Sequence, residues 1–291
     1  MIFSVDLLIE AIAFGILLGG FYAAVSLGLS VAFGLLDIPH VAHPAVLVLG
    51  AYGAFLLGQY GIDPIVAGLL LTPVFFALGA AFYRIYHITF ESRGDSAAVN
   101  GLAFFFGIVF IIEVLLVVFF GVDQQSAEAP YIGGSLAIGE MRLPYRLIVA
   151  FVVAIVLASI LSTYLSRTFY GRAIKAVGQD ESALRLMGAN PVKVKQLAFG
   201  IATGVNALAG AVLLIMAPVE PTMDRIYIGR TFCVVVLAGL GSMSGTIVAG
   251  LILGITESIV LMFFGTAWAP AVAFTLLLIM LALRPQGLFG R

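Results

Sequence analysis

Charged side chains are scarce in this chain. Only 10% of its 291 residues are Asp, Glu, Lys or Arg, against about 25% in soluble domains. Cysteine is rarer still: Cys233 stands alone, in an apolar run. One thiol excludes an internal disulfide, and its ordinary role is that of a small core- or lipid-facing residue. Histidine occurs three times, as His40, His43 and His87. The first two are spaced i, i+3 and the third sits in a loop, so the third and fourth ligands of a metal site are missing. No metal and no cofactor are expected. No Gly-x4-Gly-Lys-Ser/Thr phosphate loop occurs, so the chain cannot use ATP by that route. The net charge of −1 offers nothing to nucleic acid. No basic region precedes the first apolar run, which carries Asp6 and Glu10. The first span is therefore expected to be retained and not cleaved as a signal peptide. The histidines lack a matching nucleophile on a second element, which argues against an intramembrane enzyme.

What remains is hydrocarbon. Hydrophobic residues make up 62% of the chain, and the mean hydropathy is +1.17. A soluble core cannot hide that much apolar surface, so the bilayer is the solvent. Crossing it takes about 20 apolar residues as helix. Candidate spans fall at roughly 7–31, 41–58, 65–83, 97–120, 145–165, 197–217, 229–241, 246–264 and 268–283. The 229–241 run is short and suits a half-helix or re-entrant piece. The expected fold is an all-α integral membrane protein. It is a single domain over 1–291, a polytopic bundle of about 8–9 transmembrane helices, some of them broken. The 166–196 loop holds Arg167, Arg172, Lys175, Arg185, Lys193 and Lys195, which places it in the cytoplasm. The 84–96 loop, with Arg84, His87 and Arg93, and the tail, with Arg284 and Arg291, fall on the same side. The 121–144 and 218–228 loops face out, their cations offset by Asp123, Glu128, Glu140, Glu220 and Asp224. The N-terminus is then outside.

One stretch of the cytoplasmic loop, Tyr170 to Lys195, is patterned beyond mere polarity. Asp180 is a good N-cap, and Glu181 complements the positive end of a helix. Gly188 suits a left-handed C-cap, and Pro191 blocks continuation. The sequence predicts a helix of about two turns, Glu181 to Met187, too short to be stable alone. Ala183, Leu184 and Met187 form an apolar stripe, with Glu181 and Arg185 facing elsewhere. A solvated basic loop explains the cations. An exposed apolar stripe on a capped helix calls for a groove in a partner.

Polar groups within spans are functional candidates by default. Asp37, His40 and His43 lie in DIPHVAHP, where Pro39 and Pro44 break helix geometry. This is a broken helix near a translocation path or a short cytoplasmic turn. Glu113 and Glu257 lie in later spans, as substrate- or proton-facing groups or as carboxylates bonded to a neighbouring helix. Gly239, Gly241, Gly245, Gly250 and Gly254 allow close helix approach, including against a second subunit.

Four stretches together carry a resemblance. The 170–195 island resembles the coupling loop of ABC importer permeases, in detail that of branched-chain amino acid permeases of the LivH type. GLLDIPHVAHPAVLVLGAYGAF (Gly34–Phe55) is similar to the family's early segment, although His40 stands where that pattern has Asn and Pro44-Ala45 where it has Gly-Glu. VVVLAGLGSMSGTIVAGLILGITES (Val234–Ser258) resembles its glycine-rich late segment, including Glu257, and LRPQGLFGR (Leu283–Arg291) its ending. The resemblance implies a non-enzymatic permease subunit in a bacterial or archaeal cytoplasmic membrane. Its implied partners are a second related permease subunit, two cytoplasmic ATPase subunits and an extracytoplasmic solute-binding protein. Asp180, Glu181, Ala183, Leu184, Arg185, Met187 and Gly188 would couple it to the ATPase. The implied cargo is a branched-chain amino acid; related permeases of this fold carry urea, short amides or aromatic acids. An ion-coupled secondary transporter is the alternative from a different class, and it would have no use for a docking helix.

Overall fold

The computed structural model describes residues 5–93, 97–138 and 141–290. Glu140, Arg291 and the side chain of Arg93, used above to assign sidedness, lie outside what it describes.

Several helices start where a polar side chain satisfies a free amide. Asp63 accepts from Ile65 N at 2.8 Å, Asn190 from Lys193 N at 3.3 Å and Ser242 from Gly245 N at 3.1 Å. Pro64 and Pro191 follow two of these caps, where a missing N–H costs nothing. The helices are α1 (Val5–Ala32), α2 (His43–Gly58), α3 (Pro64–Thr89), α4 (Ala97–Phe120), α5 (Tyr145–Arg167), α6 (Phe169–Val177), α7 (Glu181–Leu186), α8 (Pro191–Met216), α9 (Asp224–Ala238), α10 (Met243–Phe264) and α11 (Ala269–Leu283). Among the described residues seven helical segments are long and apolar enough to cross a membrane: α1, α3, α4, α5, α8, α10 and the Thr266–Leu283 stretch that contains α11.

The two remaining expected spans are short. α2 is a 16-residue apolar helix. The run expected at 229–241 starts earlier, at Asp224, and gives a 15-residue helix, about 22 Å long at 1.5 Å per residue. It ends at Gly239, whose φ of +88° suits a residue without Cβ. The all-α expectation misses one hairpin. Strands β1 (Ser135–Ile138) and β2 (Met141–Pro144) pair antiparallel, Ser135 opposite Pro144 and Ile138 opposite Met141. That polar segment is long enough to satisfy its backbone against itself.

α8 is the central helix, buried along nearly its whole length, and it packs against α3, α2 and α1. On the other flank α1 packs against α10, and there the backbones touch. A Cβ on Gly15 would lie 2.5 Å from Ile255 Cα, and one on Gly19 2.6 Å from Leu251 Cα. One on Gly250 would meet Gly19 O at 2.7 Å, and one on Gly254 would collide with Gly19 itself. Small residues four apart on both helices permit this approach. Gly250 and Gly254 thus pack within the chain and not against a second subunit, while Gly239 and Gly241 shape the turn into α10.

Candidate functional site: a capped helix and a buried helix break

α7 is the helix that the caps predict. Asp180 Oδ1 accepts from Ala183 N at 2.9 Å. At the other end Gly188 takes φ +81°, and its N–H donates to Arg185 O at 2.9 Å. The apolar face differs from expectation. Leu184 is turned inward, 8% exposed, and joins the core. Leu186 and Met187 are 90% and 85% exposed, and Ala183 is exposed beside them. The reason lies at Glu181, which is held to α8. Residues three apart share a helix face, so fixing Glu181 inward turns Leu184 inward as well and leaves Leu186 outside, while Met187, at the C-cap where the helix has ended, is also exposed.

The group that holds Glu181 is Lys195, near the start of α8. Lys195 Nζ donates to Glu181 Oε2 at 2.7 Å and to Glu91 Oε1 at 2.7 Å. Glu91 lies in the 3-10 turn that follows α3. Its Oε2 accepts from Tyr83 OH and from His87 Nδ1, each at 2.7 Å. Arg185 Nη2 completes the cluster on Glu181 Oε1 at 2.8 Å. Burial alone would raise the Glu91 carboxyl, but the bonds from Lys195, His87 and Tyr83 outweigh it and hold it below its ordinary value. The bond from Lys195 is the main cause that lowers the Glu181 carboxyl. Tyr83 in turn lies 6.2 Å from Phe199 between ring centres, and Phe199 lies 4.6 Å from His40.

His40 and His43 are inside the bundle, both fully buried. The segment is therefore not wholly a surface turn: it turns at the surface and then runs buried into α2. After α1 the chain reverses at Asp37, which is exposed and takes φ +56°. It then runs inward through short-range bonds, Ile38 N to Ala32 O at 3.2 Å and His40 N to Ile38 O at 2.7 Å, to start α2 at His43. His43 Nε2 donates to Val25 O at 2.7 Å, and Asn206 Nδ2 donates to His43 Nδ1 at 3.0 Å. The carbonyl only accepts, so the ring proton is on Nε2. Val25 is on the buried half of α1 and Asn206 is mid-way along α8. His40 packs against Phe199 and against Phe105, 5.0 Å between ring centres, and among the described residues neither of its ring nitrogens has a hydrogen-bond partner.

The two span carboxylates are paired and lie apart from the histidines. Glu257 takes a forked contact from Arg230, 2.6 Å from Nη2 and 3.2 Å from Nε to its Oε1. The Arg230 guanidinium sits 5.7 Å from the ring centres of both Tyr22 and Tyr227, a cation–π arrangement. Glu113 accepts from Arg225 Nη2 at 2.6 Å. His40 and His43 thus lie together, 5.8 Å between ring centres, while Asp37 is at the exposed turn and Glu113 and Glu257 sit in their own ion pairs. Among the described residues no cluster could hold a metal ion. The sequence reading passed over Lys195 as a partner of Glu181, and over Arg230 and Asn206. A lone Arg and a lone Asn in apolar windows are the signal that was available for the last two.

A family described as the branched-chain amino acid transport system, permease component, matches residues 11–282. The chain belongs to that family. The permease is 27% identical to the high-affinity branched-chain amino acid transport system permease protein BraD of Pseudomonas aeruginosa, over 95% of this chain and 94% of the relative. It is 25% identical to LivH of Escherichia coli, with the same coverage. It is 26% identical to LivM of Escherichia coli, over 92% of this chain and 67% of that one. No solved structure gives a significant match. In this permease the four stretches that carried the resemblance meet at one end of the bundle. They line a cavity of about 740 Å³ through Gly34 and Leu35, Lys175 and Gly178, Gly241, and Phe289.

Proposed function

We propose that this permease is one membrane-spanning subunit of an ABC importer in a bacterial or archaeal cytoplasmic membrane. It passes a branched-chain amino acid delivered by an extracytoplasmic binding protein, and separate ATPase subunits drive it. The names of BraD and LivH support the cargo. The match to both LivH and LivM, two permeases named for branched-chain amino acid transport in Escherichia coli, supports pairing with a second related permease. The basic end that carries α6 and α7 is the cytoplasmic end in this reading.

The observation that carries the ATPase reading is α7 itself. It is a capped helix of six residues with Leu186 and Met187 almost fully exposed beside basic residues. Two bare apolar side chains at an aqueous surface suit a groove in a partner. The capped helix also argues against an ion-coupled transporter, which has no partner for it. The test is co-purification of this chain with its second permease and the ATPases. Leu186→Asp with Met187→Asp is expected to abolish ATPase association and uptake of radiolabelled leucine. Retention of both sinks the reading. Uptake that is lost for leucine but present for urea or an aromatic acid would keep the importer and change the cargo.

A further inference from the structure

Among the described residues Lys195 is the one group that the two acidic segments share. Glu91 belongs to the corner between α3 and α4, and Glu181 to α7. Each has other donors, His87 and Tyr83 for Glu91 and Arg185 for Glu181, but of the described side chains only the Lys195 ammonium bonds to both. Its side chain is 13% exposed, and it sits one turn inside α8, the helix around which the bundle is built. An ion pair on a free surface contributes little. A half-buried ammonium bridging two carboxylates differs in kind. Without it, two like charges face each other across a small gap, and attraction becomes repulsion. The α3–α4 corner also touches the helix break. Tyr83, which donates to Glu91, packs on Phe199, and Phe199 packs on His40.

We propose that Lys195, with Glu91, is the positioning element that ties the docking helix α7 to the α3–α4 corner, so that movement of α7 reaches the buried break at His40. This rests on the reading of α7 as the ATPase-docking helix, and it assigns a task to two residues outside that helix. Lys195 and Glu91 touch neither cargo nor nucleotide in this scheme. They set where α7 stands relative to the bundle.

The test uses the complete transporter in lipid nanodiscs: this chain, its second permease, the ATPases and the binding protein, with leucine as probe. Lys195→Met is expected to keep ATPase association and basal hydrolysis. It is expected to lose about fivefold or more of the stimulation by leucine-loaded binding protein, the scale of coupling between two sites. Lys195→Arg is expected to restore most of it. Unchanged stimulation in Lys195→Met overturns the proposal. So does loss of ATPase association in that variant, which would make Lys195 part of the dock itself. Should Lys195→Met fail to assemble, Glu91→Gln, at the other end of the bridge and outside α7, is read instead. It is expected to lose stimulation without losing association, and full stimulation there overturns the proposal. The Leu186→Asp and Met187→Asp pair reports separately on docking: association that survives it removes the α7 reading, whatever Lys195 does.

Discussion

α7 and the break at 37–43 are both short polar interruptions bounded by proline, and they are held by opposite means. α7 is fastened from outside. An aspartate cap, a left-handed glycine and charged bridges to Lys195 fix it in half-wet surroundings. The break is fastened from inside. One histidine spans a carbonyl of α1 and an amide of α8 in a buried core, and the ring nitrogens of His40 beside it have no hydrogen-bond partner among the described residues. Water screens and replaces contacts on the open side of α7, so its cap bonds are cheap to lose, while the largely buried Lys195 bridge is the exception. Nothing replaces a bond at the break, so one residue there carries the segment.

That contrast can be broken most directly at His43. His43→Ala removes the ring's bonds to Val25 O and from Asn206 Nδ2 and opens a void. We expect about 3 kcal/mol or more of destabilisation, read as a lowered unfolding temperature in nanodiscs; an unchanged temperature would remove the inside-fastened half of the comparison. His40→Phe sharpens it. The ring already sits among Phe105 and Phe199, and two orphan nitrogens disappear, so the protein should hold its stability or gain about 1–3 kcal/mol. Leucine uptake lost at that undiminished stability would assign the nitrogens to transport. Asp180→Ala should cost about 1 kcal/mol and confine it to α7. Hydrogen exchange should quicken at 181–187 while unfolding of the bundle stays put; a global shift would show α7 to be fastened more deeply than its surroundings imply.

The smallest expected effect is that of pH. The Glu91 and Glu181 carboxyls stand below their ordinary value of 4.5, facing Lys195, Arg185, His87 and Tyr83. A depressed folded value means that their contribution is complete above about 4.5 and fades as pH falls through the lower folded value. Between about pH 8 and 5, exchange at 181–187, corrected for its intrinsic rate, should therefore stay flat. A rise across that window would show that a group other than these two carboxyls controls α7.

The same difference explains what could be read in the sequence. Capping is local chemistry, so Asp180, Gly188 and Pro191 announced α7 within a residue. Spans were announced by hydrocarbon, down to the shortness of α9. Rotation about the α7 axis was not, because it depends on Lys195, distant in sequence from Glu91. That put Leu184 on the wrong face and hid Leu186. The depth of His40 and His43 was not legible either. Two prolines beside two histidines are compatible with a surface turn or a buried break, and only the enclosing helices decide between them. The pairing of Glu257 with Arg230 needed the same three-dimensional knowledge.

The tail has a consequence for biogenesis. Leu288 N donates to Leu237 O at 2.9 Å, and Phe289 N donates to Ala238 O at 3.0 Å. The last carbonyls of α9, which no helix can satisfy by itself, are closed by residues that leave the ribosome about fifty positions later. Until then α9 carries open acceptors beside the hydrocarbon layer, and α10 and α11 must be threaded across while it waits. Residues 288 and 289 are the fastener that completes an earlier helix, so the placement of α11 is followed by a closing step.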